Sequence, residues 1–229
     1  MGRKKRKSFM DKKKHCIFEP RKLWEIARKG IGHPRKEAFE IIINNLAEEY
    51  PGYIEKKQNW IFNFAGGAMG QMTVLHGSFR EYLIIFGTSI GTEGHSGRYK
   101  AEVFDFVFAG EMLCEYTGRY KKEVHKPGSP AYLPPSIVKH YCIKDEAWML
   151  EYARGNIISM LPFGFADSII SALDHITVLK TIKIYGKLVL KNLFKKGKDI
   201  DILIKWLLII VVLVWFIFYG IPMISNFII

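Results

Sequence analysis

The sequence is poor in cysteine and lacks the short strings that announce the commonest enzyme classes. Its three cysteines, Cys16, Cys114 and Cys142, form no CxxC and no zinc-finger spacing. That excludes a disulfide framework and fits a reducing compartment or inert buried thiols. No Gly-rich phosphate loop, nucleophile elbow or HExxH helix is present. Nucleotide, serine-hydrolase and zincin chemistry therefore have no support. The first fourteen residues are basic rather than apolar, so no secretory signal peptide is expected. Met1–Gly2 opens like a myristoylation signal, but position 6 is Arg6, which breaks that pattern. The last absence is of charge: Trp206 to Ile229 carries no charged side chain.

That uncharged run, WLLIIVVLVWFIFYGIPMISNFII, is long enough for a spanning helix, which needs about 20 apolar residues. A buried core helix is the alternative, but the run has no polar face to turn to water. Lys205 and the KKGK stretch at 195–198 precede it, and no positive charge follows it. The positive-inside bias then places the soluble part in the cytosol and the C-terminus across the membrane, a single-pass tail anchor at 203–229.

Charge elsewhere is present but uneven. The net charge is +12, concentrated in Arg3–Lys7, Lys12–Lys14 and a row formed by Lys180, Lys183, Lys187, Lys191 and Lys195, continued by Lys196 and Lys198. The first cluster, within a basic tail at 1–17, reads as a solvated tail or as a segment drawn to anionic headgroups, worth about 1 kcal/mol per charge near the surface. A nucleic-acid partner is not expected, because no recognition module accompanies the charge.

Between the two ends, residues 18–155 form one domain. Pro20 to Lys29 and Pro34 to Tyr50 have helical periodicity, the second with Phe39, Ile42, Ile43 and Leu46 on one face and Pro51–Gly52 at its end. From Trp60 to Tyr152 the texture turns to short β-rich runs, WIFNF, MTVLH, YLIIFGT, VFDFVFA, IVKHYCI and AWMLEYA, separated by Gly, Pro and Ser. That spacing predicts a small antiparallel barrel or sandwich. After Gly155 the pattern returns to helix, with Asp174 able to cap a second helix starting at His175. The lysine row lies on one face of that helix, and Ile176, Leu179, Ile182, Leu190 and Leu193 lie toward another. Residues 156–200 thus read as amphipathic helices at a membrane surface, the alternative being an ordinary surface helix.

The chemistry-bearing groups sit in apolar, Gly-rich surroundings. His76, Glu81, Tyr82, Glu93, His95, Arg98, Glu102 and Asp105 crowd one stretch, and Glu151 lies in WMLEYARG. Ionisable groups in such surroundings need partners or perform chemistry. Taken alone, Glu151 reads as one half of a buried salt bridge to Arg154 or Arg98. Strand alternation places Ala101, Val103 and Asp105 on one face and Glu102, Phe104 and Phe106 on the other. His76 and His95 read as loop-bracing histidines, with catalysis or a metal pair as the alternative.

Five strings taken in order, NWIFNFAGGAMGQM, LHGSFREYLIIFGT, GTEGHSGRY, WMLEYARG and MLPFGFADSIISALD, resemble the family uniting fungal C-8 sterol isomerases with the sigma non-opioid receptor. The GTEGH, LEYARG and MLPFGFAD wording is nearer the isomerase branch; GHSGRY and the position of Asp105 are nearer the sigma branch. The resemblance implies an α+β fold: a cupin-like β-barrel flanked by N-terminal helices and C-terminal membrane-associated helices, to which this chain adds one transmembrane helix. Relatives usually carry their hydrophobic anchor at the N-terminus, where this chain has a basic tail.

Carried over by residue, the resemblance makes Glu151 and Asp105 the catalytic carboxylates, with Glu102 and His76 as further candidates. Tyr82 bonds to Glu151, and Ala68, Met72, Val74, Ile84, Phe86, Val103, Leu161 and Phe163 line the apolar wall. Gly66, Gly67 and Gly70 fall at the interface of a homotrimer. The implied partners are a sterol substrate, the lipid bilayer and cationic amine inhibitors, in the endoplasmic reticulum membrane, with no cofactor or metal. The implied reaction is the shift of a sterol double bond from position 8 to 7. The alternative is a non-catalytic sigma-receptor-like protein that binds cationic amphiphiles or sterols.

Overall fold

A computed structural model describes residues 9–196 of the 229. The apolar run expected to span the membrane, with the end of the basic row and Arg3–Lys7, lies outside the described residues. Among the described residues, no helix is long and apolar enough to cross a membrane. Met1–Val189 forms one compact unit and Leu190–Ile229 a second, of which the end of the last helix is described.

Helices α1 (Pro20–Arg28) and α2 (Arg35–Glu49) come first. Pro20 opens α1, where its missing N–H costs nothing. Ten strands follow: β1 (Ile61–Ala65), β2 (Ala68–Gly77), β3 (Glu81–Thr88), β4 (Thr92–His95), β5 (Ala101–Gly110), β6 (Met112–Glu115), β7 (Glu123–His125), β8 (Pro130–Leu133), β9 (His140–Ile143) and β10 (Ala147–Gly155). They form two antiparallel sheets, one in the order β1-β2-β3-β10-β5-β8 and one in the order β4-β9-β6-β7. A 3₁₀ turn (Ile157–Met160), α3 (Leu161–Ile170) and α4 (His175–Lys196) complete the described chain. Asp174 Oδ1 accepts the amide N–H of Thr177 at 3.0 Å and caps α4.

The six-stranded sheet is buried on both faces, so β5 reads AEVFDFVFA with almost no exposed position. Its even residues, Phe104, Phe106 and Phe108, join Trp148, Leu150 and Tyr152 of β10 in a core against α1 and α2. The odd residues face the other way. There Met72, Val74, Ile84, Phe86 and Met149 meet Met112, Cys114 and Ile143 of the smaller sheet. Ala101, Val103 and Ala153 form a further cluster with Ile157 and Met160 of the 3₁₀ turn. From α4, Ile184, Tyr185 and Leu188 pack against the inter-sheet core, and the Tyr185 hydroxyl donates to the carbonyl of Ser78 at 2.7 Å.

The stretch before α1 is laid against the helix-facing side of the large sheet from residue 9 onward. Phe9 stacks on Tyr132 at 4.8 Å between ring centroids, and Met10 is buried. Glu81 Oε1 accepts the N–H of Ile17 at 2.6 Å. Arg154 donates to the carbonyls of Asp11 and Phe9, each at 2.8 Å.

Candidate functional site

Strand register brings the two expected carboxylates together. In the β5–β10 pair, Glu151 stands directly opposite Asp105, and both strands point these positions toward the inter-sheet core. Side chains opposite one another in such a pair have Cβ atoms about 4.5–5.5 Å apart. Val103 and Ala153 precede and follow them on the same face, and Val107 and Met149 continue it. The carboxylates therefore lie where two apolar clusters meet.

On the other side of β10, Tyr82 of β3 donates its hydroxyl to Glu151 Oε1 at 2.5 Å. This fixes the Glu151 rotamer. Tyr82, Tyr116 and Tyr185 pack against both apolar clusters, while Tyr99 and Tyr141 each pack against one. Five tyrosines thus pack against the two clusters between which the acidic pair lies. Glu151 and Tyr82 keep some accessible surface, yet burial is the largest cause of the raised pKa of each. Their surroundings are the apolar side chains of both clusters.

Electrostatics divides the pair. Burial first, then the Asp105 charge, pushes the Glu151 carboxyl up to about 7, against the opposing effects of the Tyr82 hydrogen bond and Lys139. Asp105 has a partner that Glu151 lacks: Lys139 Nζ sits 2.6 Å from Asp105 Oδ2, with both side chains 6% exposed. Burial acts to lower the Lys139 pKa, but Asp105 and Cys114 outweigh it and hold the ammonium well above its ordinary range. The site near neutrality is therefore an ion pair beside a carboxyl group that can keep its proton. Neither Arg154 nor Arg98 pairs with Glu151: Arg154 binds Glu102 at 2.8 Å, and Arg98 donates to the carbonyl of Ser136 at 2.6 Å.

Glu102 and His76, the further catalytic candidates, lie on the helix-facing side. Glu102, three positions before Asp105, has the opposite parity and points to the helix-facing side, where Arg154, Lys13 and Tyr132 all bond to it. Burial tends to raise its pKa, but those three hydrogen bonds win and lower it. Alternation alone would put His76 on the inner face with Val74 and Met72. A bulge between Val74 and His76 reverses it, so that His76 pairs with Leu83. Its ring packs edge-on to Phe18 at 4.8 Å, and its Nδ1 lies 2.9 Å from the carbonyl of Tyr53.

The expected apolar wall divides similarly. Met72, Val74, Ile84 and Phe86 belong to one cluster and Val103 to the other. Ala68 is buried at the start of β2. Leu161 and Phe163 lie on α3, Leu161 being 38% exposed and Phe163 packing edge-on to Tyr99 at 5.4 Å.

The glycines have reasons within the chain itself. Gly66 and Gly67 form the β1–β2 turn with φ of 63° and 83°, a conformation that favours glycine. A Cβ on Gly66 would stand 2.1 Å from the carbonyl oxygen of His95, and one on Gly70 would stand 2.7 Å from the Phe86 ring. Asp167 Oδ2 accepts the N–H of Gly67 at 2.8 Å, tying α3 to the turn.

Sequence reasoning missed Lys139 and four of the five tyrosines. Lys139 falls in a run read as strand, IVKHYCI, of which only His140–Ile143 is strand. Among the described residues, no group of three or more His, Cys, Asp or Glu side chains could hold a metal ion.

Residues 5–197 match the family described as ERG2 and Sigma1 receptor like protein. The chain is 41% identical over 182 residues to the C-8 sterol isomerase ERG2 of Gibberella zeae, covering 78% of this chain and 77% of that protein. It is 37% identical over 176 residues to the sigma non-opioid intracellular receptor 1 of Gallus gallus, covering 76% and 79%. A solved cupin superfamily protein from Desulfitobacterium hafniense overlays 44% of this chain and 83% of its own at 18% identity, with a TM-score of 0.33. That overlay is too slight to bear on fold or activity.

Proposed function

The chain belongs to the ERG2 and sigma-1 receptor family, and we infer from that membership, together with the buried acidic pair, that it is a C-8 sterol isomerase. Its relatives named C-8 sterol isomerase are 39–41% identical to it over most of its length. The observation that carries the chemistry is the pairing of Glu151 with Asp105 across β5 and β10.

The shift of a ring double bond from position 8 to 7 is an acid–base reaction with no net change in protons. Carbon 9 gains a proton, carbon 8 becomes cationic, and carbon 7 loses a proton. In our reading Glu151, poised to carry a proton near neutral pH, is the donor to carbon 9. Asp105 faces the cation and stabilises it in a site that excludes water. A carboxylate takes up the proton from carbon 7, and the pair ends with the single proton it began with. Tyr82 holds the donor, and Met72, Val74, Ile84, Phe86 and Val103 form the wall for the rings, within a barrel of the cupin type. Leu161 and Phe163 on α3 and the buried Ala68 on β2 complete that wall in the same reading.

We place the protein at the endoplasmic reticulum membrane. Ile170, Leu173, Ile176 and Leu179 form an apolar corner between α3 and α4, each at least 66% exposed, beside the exposed Lys180 and Lys183. That combination suits a bilayer interface. Residues 203–229 are the proposed anchor. A homotrimer with Gly67 near its contacts is part of the same reading. The sigma-type alternative, amine binding without turnover, draws on the 37% identity to the sigma receptor; an ammonium would occupy the place of the carbocation.

The deciding experiment is expression in cells lacking sterol isomerase, followed by sterol analysis. Conversion of 8-ene to 7-ene sterols supports the isomerase. Persistent 8-ene sterols with retained binding of a cationic amine would replace it with the sigma-type reading.

A further inference from the structure

A buried lysine beside an acidic pair needs a reason. An ammonium is costly to remove from water, and it is retained only with good partners. Lys139 is not held loosely. Its amide N–H donates to Ser96 Oγ at 2.9 Å, and its carbonyl accepts the Ser96 N–H at 2.9 Å. The ammonium lies 5.8 Å from the centroid of the Tyr141 ring and bonds to Asp105 at 2.6 Å. No element of the fold requires that bond for its own closure, since β9 begins one residue later and pairs on both sides through its backbone.

We propose that Lys139 is a positioning residue of the isomerase: it holds Asp105 as the anion of the pair and leaves the proton on Glu151. This rests on the isomerase reading for its chemistry, but not for its geometry. Two carboxyl groups that face each other in an apolar space share one proton, and symmetry alone would leave either as the donor. The single ammonium breaks the symmetry, because it reaches Asp105 on β5 and the Tyr82 hydroxyl occupies Glu151 on β10. The site then has a fixed acid and a fixed anion before substrate enters, which is preorganisation of charge.

The groups that bear on this balance come from every side of the space. Asp105 and Lys139 are the charges acting on Glu151, with the Tyr82 hydrogen bond. Cys114 of β6 and Tyr116 just beyond it lie toward Lys139. His125 on β7 feels both Lys139 and Asp105, and burial and the lysine keep it biased to its neutral form. Tyr99 and Tyr141 are held protonated, by burial first and then by the Glu151 charge.

The test is a cycle of Lys139→Met, Asp105→Asn and the double variant, assayed across pH with an 8-ene sterol in detergent. The Glu151 carboxyl is followed in parallel by its protonated C=O infrared band, assigned by its loss in Glu151→Gln. In the wild type both the activity and the band fall as pH rises through the Glu151 titration. Lys139→Met removes a cation, so the fall moves up by about one pH unit. Asp105→Asn removes an anion and leaves the lysine, so the fall moves down by about as much. The double variant returns close to wild type in position. Its turnover stays about 100-fold down, because no anion faces the cation. Lys139→Arg keeps the wild-type position whatever it costs in rate.

Shifts of the same sign in the two single variants, or no shift in either, overturn the proposal and leave Lys139 as a structural ion pair. If Lys139→Met does not fold, the step from Asp105→Asn to the double variant reads the same quantity and must go up. A wild type that never makes 7-ene sterol defeats the isomerase reading, while the infrared titration still decides the role of Lys139.

Discussion

Glu151 and Asp105 stand opposite one another in the β5–β10 ladder, yet their hydrogen-bond donors differ: Glu151 accepts from a tyrosine, and Asp105 from a lysine. One register pair thus contains two carboxyl groups of unlike character. Neutral and anionic forms of the same functional group, a few ångströms apart, are what the protonation of an alkene and the shielding of the resulting cation require.

Glu151→Gln keeps size and hydrogen-bonding capacity and removes the proton that is transferred. Conversion of 8-ene to 7-ene sterol should fall by about 10²–10⁴-fold in kcat/KM, with loss of cationic amine binding and little change in melting temperature at the acid end of the range, where wild-type Glu151 keeps its proton. Tyr82→Phe frees the carboxyl rotamer and should cost about 10-fold. Full turnover in Glu151→Gln would remove this mechanism.

Two pH effects share one cause. Activity that needs protonated Glu151 should decline as pH rises through about 7. Stability follows the same sign: the folded protein holds this proton more tightly than the unfolded chain, so stability is greatest at and below the unfolded value of 4.5 and falls until about 7. Denaturant melts of the wild type and Glu151→Gln between pH 5 and 8 measure it, and the difference between the two should vanish at the acid end.

On the opposite face of the same strands, Glu102 and Arg154 should govern stability rather than turnover. Arg154→Met strips Glu102 of its buried partner and releases the Phe9 and Asp11 carbonyls. Loss of about 3–5 kcal/mol is expected, with kcat of the folded fraction within a few-fold of wild type. Glu102→Gln should behave alike but more mildly. Loss of turnover in stable Glu102→Gln would move the chemistry to that face.

The turn glycines separate folding from assembly. Gly66→Ala meets the His95 carbonyl and should destabilise strongly. Gly67→Ala has its nearest neighbour at 3.8 Å, leaving about 1–2 kcal/mol of backbone strain. If Gly67 lies at a trimer contact, Gly67→Leu in detergent should sediment as a monomer while remaining folded. An unchanged oligomer would place the contact elsewhere.

Much of this arrangement is legible from the chain. Alternation along AEVFDFVFA places Asp105 and Glu102 on opposite faces, and the structure has them so. The helices and long strands follow their periodicity. Where legibility fails, the causes are specific. β4, β6, β7, β8 and β9 are three or four residues long, too short for a period to register. His76 follows alternation until one extra residue, Leu75, turns it round. Lys139 gives no local sign of its destination, since its partner lies 34 positions away and only the packing of one sheet over another joins them.

The bonds from Arg154 to Phe9 and Asp11 end on main-chain oxygens, and those from Glu81 begin at the main-chain N–H groups of Ile17 and Phe18. A seat of that kind recognises the course of a peptide rather than its side chains. Phe9, Met10, Lys13 and Phe18 add side-chain contacts of their own, but the path of the segment is held through its main chain. Deleting the segment is another matter, because the Arg154 guanidinium on the strand that carries Glu151 and the Glu81 carboxylate on its neighbour β3 would each lose two main-chain partners.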